Sequence, residues 1–359
     1  MSDDDKECNL NVFIMNTIFT GMLIAGGFIG NSLAFVVFWK DNMKTSASFL
    51  FQSLALVDSA VLLIIIPIIP LYSFAIYTKR LHGFLEITPY MWTYILPVAN
   101  VAGLSSIWVV VLLAVNRYIA VCYPFKSLRL CTFAKVKKQL AFVLLCAVLY
   151  NIPEFVERRV EYVTYDNGTT YEPQLVNTEL GKTKLYHIIY NGVLYVTFVV
   201  AAPLLTLTFV NIRLIQALKA RRRKRMEMVS QLQQNDNNVT VVLIIVIVVL
   251  IVCQIPALVV RALKVAMPED TGRCDYIFYM VTVANMLRVL NSAVNFVIYV
   301  VFNKRFRQVL ARTVGCCSVT EVDGQREKPT VKPPRVSVVS GVPVTQQHDN
   351  DSRAEETRF

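Results

Sequence analysis

Charge is missing from long stretches of this sequence. Val12 to Trp39 contains no Asp, Glu, Lys or Arg, and neither does Val239 to Val260. A soluble chain of 359 residues would spread its apolar positions at core periodicity over about two domains. Here 55% of residues are hydrophobic, the mean hydropathy is +0.49, and the apolar residues come in blocks. A helix rises about 1.5 Å per residue and the hydrocarbon layer is about 30 Å thick, so roughly twenty apolar residues cross it. The sequence therefore predicts seven spans, at about 12–39, 47–76, 90–122, 134–155, 186–218, 239–266 and 275–302. The expected fold is an all-α membrane protein, a seven-transmembrane helix bundle.

Other absences narrow the function. His82, His187 and His348 are the only histidines and fall in separate loops or the tail. No metal-ligand spacing or nucleophile motif appears, so an enzyme is the least supported reading. Seven unequal spans without repeats argue against a transporter or channel. The acidic start Ser2 to Glu7 lacks the basic segment of a cleaved signal peptide, so none is expected.

The charge that is present sorts by side. Lys40 and Lys44 lie between spans one and two, and Lys126, Arg129, Lys135, Lys137 and Lys138 between three and four. Arg213, Lys219 and Arg221 to Arg225 follow span five, and Lys304, Arg305, Arg307 and Arg312 follow span seven. The opposite side carries Asp3, Asp4, Asp5 and Glu7, then a mixed loop with Glu154, Glu157, Glu161, Asp166, Glu172 and Glu179. Positive loops mark the cytosol, so a multi-pass plasma-membrane protein with its N-terminus outside is expected. Topology and anionic inner-leaflet lipid account for the net charge of +11, and nucleic acid is not an expected partner.

Residues 1–11 form a short extracellular tail, and 12–302 the bundle. Asn167-Gly168-Thr169, in the loop after span four, is a glycosylation sequon on the correct side. Residues 303–314 place Phe302, Phe306, Val309 and Leu310 on one face and basic residues on the other, the pattern of a short amphipathic eighth helix on the inner leaflet. Cys316 and Cys317 follow, as palmitoylation sites or as free thiols. Residues 315–359 are expected to be a disordered cytosolic tail whose Ser and Thr could recruit partners once phosphorylated. Only Cys8 and Cys274 face the oxidising side, where a bridge would tie the N-terminal tail to the last outer loop.

A charged side chain at mid-bilayer costs about 2.5–3.5 kcal/mol on insertion scales, so each needs a reason. Asp58 is the sole acid in span two. Ser106 in span three and Asn291, Ser292 and Asn295 in span seven could surround it with oxygens. Such a set would accept sodium, making Asp58 a metal ligand, or would hold a water.

These residues fall within a wider resemblance. Gly30-Asn31, Leu54-Ala55-Leu56-Val57-Asp58, Asn116-Arg117-Tyr118, Pro203, Pro256 and Asn295-Phe296-Val297-Ile298-Tyr299 occur one per helix, in order. Together they resemble the signatures of rhodopsin-like (class A) G-protein-coupled receptors. Asn116 to Cys122, Leu130 to Phe133, Tyr150 to Pro153 and Asn291 to Tyr299 look most like invertebrate FMRFamide-receptor-like neuropeptide receptors, in which Phe also replaces the seventh-helix proline. The resemblance implies an allosteric sodium ion at Asp58, Ser106, Asn291, Ser292 and Asn295, with no cofactor required. It implies that Arg117, with Asn116 and Tyr118 beside it, receives a heterotrimeric G protein, and that Tyr299 rotates inward on activation. Arrestin and receptor kinase are the partners implied for the tail.

Departures are informative. Asn116 replaces the acid that usually restrains the arginine, so basal activity is expected to be raised. Gln254 stands where many members carry an aromatic toggle. The usual cysteine atop span three is Trp92 and the loop after span four has none, which favours Cys8–Cys274 as a substitute bridge. Ala99, eighteen residues before Arg117, replaces the acid of amine receptors, and Val289 replaces the retinal lysine of opsins. The outer half instead offers Tyr94, Glu154, Glu157, Gln254, Arg261, Lys264 and Arg288 as a ligand pocket suited to an extracellular peptide. Arg288 would meet a ligand carboxylate or amide carbonyl, or pair with an acid on a neighbouring helix. Glu154 and Glu157 would attract the arginine of an RFamide-type peptide, or simply be solvated. A small acidic or lipid ligand anchored by Arg261, Lys264 and Arg288 is the alternative. Pro256 leaves a carbonyl unpaired and lets span six kink, so that outward movement exposes Arg117 and the basic stretch Arg221 to Arg225.

Overall fold

The computed structural model describes residues 10–40, 45–165, 170–225, 234–266 and 276–315. Five helices among them are long and apolar enough to cross a bilayer: Leu10–Lys40, Ser46–Thr78, His82–Cys122, Phe133–Glu157 and Lys184–Ala217. Phe278–Ala293 and Asn295–Phe302 form a further crossing bent by 45°. The apolar stretch Val248–Leu263 lies within the helix Gln234–Ala266 and completes spans one to seven. Residues 316–359, which hold most of the expected cytosolic tail, lie outside the described residues.

Local chemistry sets the helix ends. Thr45 caps span two, its side chain accepting from the Ser48 amide at 3.2 Å. Pro124 opens the short helix Pro124–Leu130, and the residue before it, Tyr123, ends span three. Asn303 caps the eighth helix, Lys304–Val314, by accepting from the Phe306 amide at 3.1 Å. Gly315, at φ 69°, closes it in the left-handed region that glycine tolerates.

Span one packs on two and seven, span six on five and seven, and span three touches two, four and five. Large apolar side chains cover the outside of this bundle as well as filling its core. Asp58 is wholly buried and Asn295 is 5% exposed, while Leu205 is 71% and Leu145 54% exposed. Polar groups pointing inward and leucines outward suit a lipid surround. Spans one and seven meet at glycines: a Cβ on Gly27 would lie 2.6 Å from Ala293 Cβ, and one on Gly30 2.8 Å from Phe296 Cβ. That closeness lets Asn31 donate from Nδ2 to the Ser292 carbonyl at 2.9 Å, beside the bend at Val294. Phe296 stands where a proline would otherwise account for that bend.

The loop after span four contains strands that the sequence pattern does not announce. β1 (Arg158–Tyr165) pairs antiparallel with β2 (Thr170–Asn177), Arg158 opposite Asn177. Thr178 pins the hairpin base, its hydroxyl donating to the Val156 and Glu157 carbonyls at 2.8 and 3.0 Å. The hydroxyls of Tyr90, near the start of span three, and Tyr162 on β1 hydrogen-bond at 2.7 Å. Asn167, Cys8, Cys274, Cys316 and Cys317 lie outside the described residues.

Candidate functional site

The buried acid organises the centre of the bundle. Ser106 Oγ donates to Asp58 Oδ1 at 2.6 Å, and Asn295 Nδ2 donates to Oδ2 at 2.7 Å. Ser292, 3% exposed, lies beside the same carboxylate. Spans two, three and seven thus converge on one carboxylate. Asn291 faces the adjoining cavity instead.

That cavity, about 60 Å³ in volume, lies among spans two to seven. Its lining includes Glu154, Gln254, Arg261, Arg288, Asn291 and Ser292. Four polar side chains across it form a chain. Arg288 Nη1 donates to Asn100 Oδ1 at 3.2 Å, and Asn100 Nδ2 donates to Glu154 Oε2 at 2.6 Å. Glu154 Oε1 lies 3.9 Å from Arg261 Nη2. Arg261 in turn donates from Nη1 to Asn191 Oδ1 at 2.7 Å and lies over the Tyr195 ring, 3.9 Å from its centroid. A guanidinium on an aromatic face is held by the ring quadrupole as well as by its acceptors.

Several expected pocket residues are placed differently. Glu154 is not in a loop: it belongs to the helix of span four and is 6% exposed. Tyr94 is 54% exposed and does not line the cavity. It sits in a widened π turn, Met91–Ile95, which rotates side chains away from the phase that a regular helix predicts. Glu157 also stays outside the lining. It accepts from Tyr186 Oη at 3.1 Å and lies 3.7 Å from Arg158 Nε, so it braces the hairpin base. Arg288 is bridged to the acid through Asn100 rather than paired with it directly. The Lys264 side chain lies outside the described residues. Asn100, Asn191 and Tyr195 were not anticipated. Asn100 follows Ala99 directly, and a neutral amide in a span carries little hydropathy signal.

At the opposite end, Asn116 is buried and donates from Nδ2 to the Leu112 carbonyl at 2.9 Å and to Gln139 Oε1 at 3.4 Å. Arg117, next in the helix, is half-buried. The model of the 7-transmembrane receptor (rhodopsin family) matches residues 30–299, three-quarters of the chain, from the Gly30 contact to Tyr299. The chain belongs to this family.

Among curated relatives of this rhodopsin-family receptor, the FMRFamide peptide receptor frpr-18 of Caenorhabditis elegans is 28% identical over 83% of this chain and 69% of that one. The FMRFamide receptor of Drosophila melanogaster is 25% identical over 79% of this chain, which spans half of that receptor's length. The sex peptide receptor of the same fly is 27% identical over 78% of this chain and 68% of its own. These relatives are receptors, and the chain is a G-protein-coupled receptor rather than an enzyme. In it, Tyr299 is 2% exposed in an aromatic cage of Phe38, Phe51 and Phe306, with ring centroids 5.3–5.6 Å away. Tyr118 packs edge-on against Tyr123 at 5.7 Å. Pro256 lies inside the helix of span six, two residues after the cavity-lining Gln254.

Proposed function

We propose that this receptor sits in the plasma membrane with its N-terminus outside, binds an extracellular neuropeptide in the Glu154–Arg261–Arg288 cavity, and activates a heterotrimeric G protein at Arg117. The observation that carries the reading is the cavity wall itself. Charges of both signs, spread over spans four, six and seven and joined by Asn100, suit a long polar ligand better than a compact amine or a hydrocarbon chain. The relatives named for FMRFamide support the same ligand class.

The Asp58 cluster fits a sodium ion: one buried carboxylate with the hydroxyls of Ser106 and Ser292 at hand, and Asn295, which donates to the carboxylate through Nδ2, would have to turn its amide oxygen to join them. Bound there, the ion would add a positive charge that favours one packing of spans two, three and seven. A ligand shifts the receptor only by its difference in affinity between closed and open states. Inward rotation of Tyr299 would leave its cage, and an outward swing of span six about Pro256 would uncover Arg117. The eighth helix, held to the bundle by Phe306, which is 2% exposed against Phe38 and Tyr299, would lie along the inner leaflet, and the tail would serve receptor kinase and arrestin.

A panel of synthetic neuropeptides against a calcium readout, in cells supplying all major α subunits, tests the ligand class. A response only to small acids or lipids would replace it. Arg117→Ala that reaches the surface should lose coupling, and normal signalling from it would refute the assignment of Arg117.

A further inference from the structure

Hydrogen-bond roles are fixed along a chain of groups that runs from the hairpin base to the cavity wall. Its two ends have no freedom. The Gly181 carbonyl only accepts, and the Arg261 guanidinium only donates. Between them stand His187 and Asn191, one helical turn apart in span five. Arg261 Nη1 donates to Asn191 Oδ1 at 2.7 Å, so the Asn191 amide must present its Nδ2 hydrogens on the other side. Nδ2 lies 3.0 Å from His187 Nδ1, which therefore accepts. His187 Nε2 lies 2.7 Å from the Gly181 carbonyl oxygen, which requires the ring's hydrogen on Nε2. One tautomer of the neutral imidazole satisfies every bond. Gly181 is tightly packed as well, since a Cβ there would collide with the Glu157 carbonyl oxygen at the end of span four.

An imidazolium does not fit this place. A second proton, on Nδ1, would point at the Asn191 amide hydrogens. Turning the amide over would give that proton an oxygen but would set Nδ2 against the Arg261 guanidinium, donor against donor. Protonation of His187 and the Arg261–Asn191 bond thus exclude each other. Histidine is the side chain that ordinarily changes charge between about pH 5 and 8, and His187 is half-buried. The acids of neighbouring elements each face a cation: Glu157 lies 3.7 Å from Arg158, Glu179 3.1 Å from Lys182 and Glu154 3.9 Å from Arg261. On its own helix Lys184 and Tyr186 precede it; the Tyr186 ring lies 5.4 Å away and its hydroxyl donates to Glu157. Among the described residues at this end of these elements, no unpaired carboxylate offers the imidazolium a substitute partner.

Building on the orientation proposed above, we propose that His187 is a positioning residue for Arg261, acting through Asn191, and that protons from the outer solution switch it. The neutral ring ties span five to span six and keeps Arg261 over Tyr195. Uptake of a proton at Nδ1 releases the tie. A cationic peptide then meets one more positive charge and a less firmly held guanidinium, so acid weakens its action.

The first test needs no ligand. The chain has three histidines, so isotope-labelled histidine in the full receptor, held in lipid nanodiscs, gives three ring signals by NMR, assigned by His82→Gln, His187→Gln and His348→Gln. At about pH 8, above the histidine range, the His187 ring should carry its hydrogen on Nε2. As the pH falls to about 5.5, the guanidinium signal of Arg261 should change in step with His187, and should stay still in Asn191→Ala. A hydrogen on Nδ1 at the higher pH, or an Arg261 signal indifferent to His187, overturns the proposal. The second test reads calcium responses to Phe-Met-Arg-Phe-NH2 in cells expressing the full chain, with surface level measured. Potency should fall about fivefold or more from outer pH of about 7.5 to about 6, the low end of couplings between sites, in the natural receptor and in His82→Gln. In His187→Gln the fall should be below about twofold; Asn191→Ala carries the comparison if that variant fails to reach the surface. A potency that does not fall in the natural receptor, or falls equally in both, overturns the switch and leaves a peptide receptor standing. Silence toward this peptide and the wider panel sinks the peptide reading alone, and the ring measurement then decides the relay.

Discussion

Gly26 and Gly27 are neighbours in sequence and opposites in space, so they make a matched pair of perturbations. A methyl group on Gly26 meets nothing within 4 Å, whereas one on Gly27 falls 2.6 Å from Ala293 Cβ, 2.8 Å from Ala293 Cα and 2.9 Å from Leu62 Cδ1. Two of those three atoms cannot swing aside, one being backbone and the other a Cβ fixed to it. Overpacking of this kind costs about 1–3 kcal/mol, and the helix propensity gained on replacing glycine returns at most about 1 kcal/mol. Gly27→Ala should therefore destabilise the receptor by about 1–2 kcal/mol, and Gly26→Ala should be neutral or slightly stabilising. Thermal unfolding of detergent-solubilised protein, followed by a thiol-reactive dye at Cys253 and its neighbours, reads the difference. For a chain of this size a fall of about 2–8 °C is expected for Gly27→Ala against little change for Gly26→Ala. Equal melting temperatures for the two variants would refute the claim that spans one and seven are in backbone-close contact.

Two further predictions concern the switch. Asn116→Asp restores an acid beside Arg117 and should lower ligand-independent second-messenger output; output at or above that of the natural chain, at matched surface density, would contradict the restraint argument. Asp58→Asn keeps groups that Ser106 and Asn295 can hydrogen-bond but removes the charge. Agonist affinity in this variant should no longer fall when sodium replaces a bulky organic cation at constant ionic strength, and a persisting sodium effect would move the ion elsewhere.

The spans and the Asp58 cluster were legible because both rest on cost. A stretch without charge is long enough to cross lipid or it is not, and a lone acid inside it requires partners. Span ends were less legible: the helix carrying span three begins at His82 rather than near residue 90. The outer cavity was half legible for a related reason. Arg261 and Arg288 stand out as charges, but the amides that join them do not, and only tertiary packing decides that Asn100 lies between Arg288 and Glu154. Tyr94 was misplaced because periodicity assumes a constant turn, and wide turns at Met91–Ile95 and His187–Leu194 alter the phase at the hairpin end of spans three and five. The hairpin Arg158–Asn177 escaped because its anchors, Thr178 and the Tyr90–Tyr162 pair, act across the fold rather than along the chain.

The bend in the seventh span lies beside a hydrogen bond from the first. A proline ring imposes its angle on every conformation a helix can adopt, since the missing amide cannot be restored. Phe296 retains its N–H, and the Ser292 carbonyl accepts from Asn31 Nδ2 at 2.9 Å. With Phe296 in place of a proline, no ring locks the angle beside the buried acid, and the first helix holds the carbonyl next to it.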